Sequence, residues 1–225
     1  VQEAILLGRD LVYLTQLGKL PDRVVERLRH KDQFQGAWYE IRIASALIHG
    51  GFGIEWLQKK AASHCEFTAV QSFTKEKFAV EAKSKHRTGT LNQPGEKLDE
   101  VRVLADRLFR DALRKDAEGL PLLIFVDVNM PLNDSLEDAA FQWGNHMAGH
   151  IGAMGINASE PATFAYVACT NFSWHQQLSA AVKGMGVVYE KVPMFSVNPI
   201  KNIDSTIHAI EAGLKRVGVP PPHNL

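Results

Sequence analysis

The chain has 225 residues, of which 45% are hydrophobic and 22% charged, ordinary globular usage that can bury a sizeable core. Lys+Arg and Asp+Glu balance at 25 each, so a strongly basic nucleic-acid coat is excluded and any polyanion contact must come from a local patch. No apolar run reaches membrane-spanning length, and the two cysteines, Cys65 and Cys169, match no metal or redox spacing, which predicts reduced core thiols in a cytoplasmic protein with no membrane contact.

In chain order, residues 2–29 carry apolar residues at helical spacing and predict two helices broken near Pro21. Residues 34–49 predict a further helix, stopped by the glycines of "GGFG" at 50–53. Three strands are expected at 54–58, 64–70 and 78–84, and the run 86–95 is rich in turn residues. Residues 96–118 predict an amphipathic helix with Leu98, Val101, Ala105, Leu108, Phe109, Ala112 and Leu113 on one face. Its arginines, Arg107, Arg110 and Arg114, form a stripe on another face, and the spacing pairs Asp106 with Arg110 and Asp111 with Lys115. The continuous apolar run 120–128 reads as a strand buried on both faces. A helix at 134–148, strands at 163–170 and 186–192, and a last helix at 203–217 complete an α/β sandwich around a mixed sheet.

The chemistry gathers on the second and third strands. Placing Phe67 opposite Val80 puts Ala69 opposite Phe78 and Cys65 opposite Ala82, a wholly apolar face. The same register sets Glu66 opposite Glu81 on the other face, with Lys83 two residues on. Facing carboxylates repel, and a divalent cation between them removes the repulsion. Mg²⁺ or Mn²⁺ suits such a site: hard ions take one or two carboxylates, waters and a substrate phosphate, and the Ala82 carbonyl offers a further oxygen. A lysine beside the ion can position or deprotonate a water, or offset charge on a phosphate. The plainer alternative is a solvated strand face carrying a Glu–Lys pair.

Other signals are weaker. His146 and His150, four apart, lack the glutamate of a zinc-protease motif and read as ordinary histidines. Trp174 and His175 read as packing or loop residues rather than a base-stacking platform.

The stretch Glu81–Ala82–Lys83, on an apolar strand that follows an acid-bearing strand and precedes a long helix, resembles the PD-(D/E)XK nuclease superfamily. The likeness covers residues 34–130, preceded by a helical segment at 1–33 and followed by an α/β part at 131–225 that completes the same domain. It implies a restriction-endonuclease-like three-layer sandwich and metal-dependent cleavage of nucleic acid, DNA ahead of RNA. Glu66 and Glu81 would be the metal ligands and Lys83 the basic partner. Glu66 stands where the superfamily usually has Asp, and Cys65 where it often has Pro. Many members add an acid from the first core helix. Glu40 is the candidate here, on a face with Gly36, Ala37, Ile43, Ala44 and Leu47; the alternative is a boundary glutamate at the edge of that stripe, or one paired with a local arginine. Lys77, Lys85, His86 and Arg87, with Lys75, would hold the phosphate backbone. The runner-up expectation is a nuclease-fold protein that binds nucleic acid or a protein partner without cutting.

Overall fold

The computed structural model describes residues 2–58, 64–84, 101–127, 148–149, 161–172 and 187–217. The expected helix at 134–148 falls almost wholly outside these residues, as do Lys85, His86, Arg87, His146, His150, Trp174 and His175.

Two helices, α1 (Gln2–Gln16) and α2 (Asp22–Leu28), lead into the long α3 (Lys31–His49). Pro21 sits at the N-cap of α2, where its fixed φ suits a helix start and its missing N–H costs nothing. Gly50 caps α3, and Gly51, at φ 87°, turns the chain into β1 (Phe52–Trp56) in a conformation that favours glycine. The first strand therefore begins two residues earlier than the alternation suggests. Strands β2 (Phe67–Gln71) and β3 (Lys77–Ser84), helix α4 (Val101–Leu113), strands β4 (Leu122–Asp127), β5 (Tyr166–Thr170) and β6 (Val187–Lys191), and helix α5 (Ile203–Lys215) follow.

The strands form one six-stranded mixed sheet in the order β1-β2-β3-β4-β5-β6. The first three make an antiparallel meander, β3, β4 and β5 run parallel, and β6 returns antiparallel. The parallel β3–β4 pair needs a crossover, and α4 supplies it.

Each face of the sheet has its own core. Phe67, Ala69, Phe78, Val80, Ala82, Leu123 and Phe125 pack with α3 and with residues of α1, α2 and α5. Ala79, Leu122, Ile124, Val126 and Cys169 pack with Phe109 and Ala112 of α4. Helix α3 is buried nearly all round from Ala37 to Leu47, not along one face, because other helices cover its outer side. Its polar residues are paired accordingly: Arg42 Nε meets Asp10 Oδ2 at 2.8 Å, and the Ser45 hydroxyl donates to Asp10 Oδ1 at 3.0 Å. Among the described residues no helix is long and apolar enough to cross a membrane.

Candidate metal and phosphate site

The β2–β3 ladder pairs Phe67 with Val80 and Ala69 with Phe78, as the patterning predicts. The expectation fails one step further on. The Glu66 N–H donates to the Val80 carbonyl at 3.1 Å, although the ladder would direct it to residue 81. This one-residue offset interrupts the alternation. Cys65 consequently joins the α4-side core instead of the apolar face of Phe67 and Ala69. Its thiol donates to the Asp116 carbonyl at 3.4 Å, and burial, with Glu81 nearby, pushes its pKa up to about 12. Both cysteines are free and buried.

Glu81 is at the centre of the sheet and 0% exposed, which rules out the solvated-face alternative. Alternation along β3 places it with Ala79 on the α4 side, and Lys83 follows on the same side. Lys83 Nζ lies 2.5 Å from Glu81 Oε1, and Lys115 Nζ lies 3.8 Å from the same oxygen. Glu81 Oε2 is enclosed and receives no hydrogen bond from the described residues. Burial holds the Glu81 carboxyl above its ordinary pKa; Lys83 opposes that shift and the nearby Glu66 carboxylate adds to it. For Lys83 burial acts downward, but Glu81, Glu66 and Glu40 together leave its pKa raised. Glu66 is buried as well.

Glu40 is buried on α3, and Arg27 of α2 holds both its oxygens, at 2.6 and 2.9 Å. The local-arginine alternative is therefore realised. Glu40, Glu66 and Glu81 all favour the charged form of Arg27, so the three acids share one electrostatic neighbourhood. They do not form one cluster: among the described residues no three His, Cys, Asp or Glu side chains gather as a metal-holding group. Glu66 and Glu81 are coupled electrostatically, and carboxylate oxygens are the donor type that Mg²⁺ or Mn²⁺ takes, completed by water and substrate oxygen.

Lys77 is exposed at the first position of β3, six residues and about 20 Å along the strand from Lys83. Lys75 lies beyond it, so these two lysines are not part of the Glu81 neighbourhood. Between them Glu76 accepts hydrogen bonds from the Lys201 and Asn202 backbone N–H groups, tying down the start of α5. A cleft of about 660 Å³ at that same end of the sheet is lined by Gly51, Phe73, Asp204 and His208, none of which enters the chemistry at Glu81.

Sequence reasoning missed three residues. Arg27 is on a different helix from its partner; the gap left by Gly36, where a Cβ would sit 3.4 Å from Arg27 Nη2, is the one local hint of it. Lys115 was expected to pair with Asp111, yet Asp111 takes Arg107 at 3.8 Å and Arg114 at 3.4 Å while Lys115 reaches Glu81. Asp127, fully buried at the end of β4, accepts from the Thr170 hydroxyl at 3.1 Å, the Phe172 N–H at 2.9 Å and the Ser84 hydroxyl at 3.2 Å. Thr170 Oγ1 in turn lies 2.8 Å from the Tyr39 hydroxyl. This network binds the carboxyl ends of β3, β4 and β5 together beside Lys83. A charge closing an otherwise apolar strand was its sequence signal.

None of the protein-family models, curated proteins or solved structures compared with the chain matches it.

Proposed function

We propose that this protein is a Mg²⁺- or Mn²⁺-dependent phosphodiesterase of the restriction-endonuclease-like kind, cleaving nucleic acid and preferring DNA to RNA. The observation that carries the reading is Glu81, wholly enclosed on a central strand, with Lys83 at 2.5 Å and Glu66 close enough to raise its pKa. Burying such a group is costly, and the cost is understandable where a site requires it. The order of helix, antiparallel meander, crossover helix and parallel strand agrees with the core of the PD-(D/E)XK superfamily.

In this reading Glu66, Glu81 and the Ala82 carbonyl would hold the ion, which would supply Lewis acidity toward a phosphoryl oxygen. Lys83, anchored on Glu81, orients the attacking water or offsets the charge that develops on the phosphate. Lys115 adds a second positive charge on the same side. Glu40 acts at a distance, through Arg27.

One observation favours the second reading, a nucleic-acid or protein binder that does not cut. Arg27, Lys83 and Lys115 balance Glu40, Glu66 and Glu81 charge for charge, so the acids are neutralised without a metal. A panel of single- and double-stranded DNA and RNA separates the two. The enzyme reading expects cleavage in Mn²⁺, abolished by EDTA, and binding without cleavage in Ca²⁺. Binding with no cleavage in any metal supports the second reading, and neither binding nor cleavage removes both.

A further inference from the structure

Arg27 comes from a short helix preceding the predicted core, yet its side chain reaches into the acidic neighbourhood. It grips Glu40 through both terminal nitrogens, at 2.6 and 2.9 Å, in the fork geometry that suits a guanidinium to a carboxylate. Its side chain is 25% exposed while that of Glu40 is 3% exposed, so the arginine carries the buried carboxylate's charge toward solvent. Gly36, one turn before Glu40 on α3, leaves the space that the guanidinium fills.

Both effects of this contact oppose a cation. The bidentate grip occupies the two oxygens of a third carboxylate, and the guanidinium adds a unit positive charge beside the other two. We infer that Arg27 is a determinant of cation affinity at this site, withholding Glu40 so that a divalent ion meets Glu66 and Glu81 as its only carboxylates. The inference rests on the metal-dependent reading above. It also carries an uncommon sign, because loss of this residue should strengthen ligand binding. A structural ion pair predicts no such gain.

The test is titration of the full chain with Mn²⁺ alone, following free Mn²⁺ by electron paramagnetic resonance. Arg27→Met removes the grip and the charge. Arg27→Gln also removes the charge but leaves an amide that can donate to the buried Glu40, which protects folding; circular dichroism checks that both variants fold. Each should bind Mn²⁺ about tenfold more tightly than wild type, since at an effective dielectric constant of about 20 a unit charge as far as about 10 Å from the ion is still worth roughly a factor of ten. In the double variant Arg27→Met/Glu40→Gln the gain should vanish, because the released carboxylate is gone. A folded Arg27→Gln protein that binds no more tightly than a Mn²⁺-binding wild type overturns the inference and leaves the metal-dependent reading standing. No binding by wild type or variants at millimolar Mn²⁺ overturns both. Binding by the variants alone upholds the role of Arg27 and overturns metal dependence of the native chain.

Discussion

Replacing Asp127 tests how the carboxyl ends of the parallel strands are held beside Lys83. The carboxylate accepts hydrogen bonds from Ser84, Thr170 and Phe172 and is 0% exposed. Hydrogen bonds to a charged group are worth about 1.5–3 kcal/mol each, so a simple sum over these three for Asp127→Ala is roughly 4.5–9 kcal/mol. Two donors have other recourse. Thr170 keeps the Tyr39 hydroxyl at 2.8 Å, and Ser84, only half-buried, can turn to water. The Phe172 N–H is buried beside the lost acceptor and carries the main penalty. The expected cost is therefore about 3–4 kcal/mol. Asp127→Asn keeps an oxygen for Thr170 and Phe172, and its amide can donate to Ser84 with the hydroxyl reversed, so it should cost about 1–2 kcal/mol as charge-assisted bonds become neutral. Urea unfolding followed by far-ultraviolet circular dichroism reads both. A loss below about 1.5 kcal/mol for the alanine variant, or equal losses for the two, would refute the hydrogen-bond account.

Three further outcomes follow from the same geometry. Millimolar Mg²⁺ or Mn²⁺ should raise the melting temperature by mass action, and Glu81→Gln should shrink that rise; an equal rise in both proteins would count against the site. Gly213 of α5 packs on α3 where an added Cβ would strike the Ala46 carbonyl, so Gly213→Ala should cost about 2–3 kcal/mol, whereas Gly8→Ala in α1, with nothing nearby, should stabilise by about 0.5–1 kcal/mol; urea midpoints moving in opposite directions check this. Burial raises the Glu190 pKa, with the neighbouring Glu211 adding to the shift against the Tyr166 hydroxyl bond, so folding favours the protonated acid. That stability is present below the unfolded pKa of about 4.5 and is lost as pH rises through the folded value; Glu190→Gln should therefore raise the melting temperature by about 1–2 °C at pH 7 and little at pH 4 in paired thermal melts.

Much of the sheet is legible in the sequence because alternation has only two outcomes: Phe67, Ala69, Phe78 and Val80 must share a face, and they do. Alternation holds only while the ladder is regular. The offset at Glu66 has no glycine or turn residue to announce it, and it sends Cys65 to the opposite core. The Lys115 expectation failed for a related reason. Pairing four residues apart applies within a helix, and α4 ends at Leu113, so Lys115 lies in the following turn and leaves the helical direction. A local arginine was foreseen as an alternative partner for Glu40, but Arg27 could not be singled out, because it lies 13 residues away on a different helix and the docking of α2 on α3 is set by tertiary packing. Glu81 and Lys83 were legible since a charged pair on an apolar strand contradicts its surroundings.

The most direct test of the central claim compares Lys83→Ala with wild type for cleavage in Mn²⁺, with Mn²⁺ binding measured on the same samples. Removing the ammonium leaves Glu66 and Glu81 in place, and losing a nearby positive charge does not weaken their hold on a cation. The account predicts undiminished Mn²⁺ binding by the variant and a loss of cleavage on the order of 10²–10⁴-fold, the usual contribution of one positioned catalytic group. A variant that cuts as fast as wild type would contradict it and leave the Lys83–Glu81 pair a structural one.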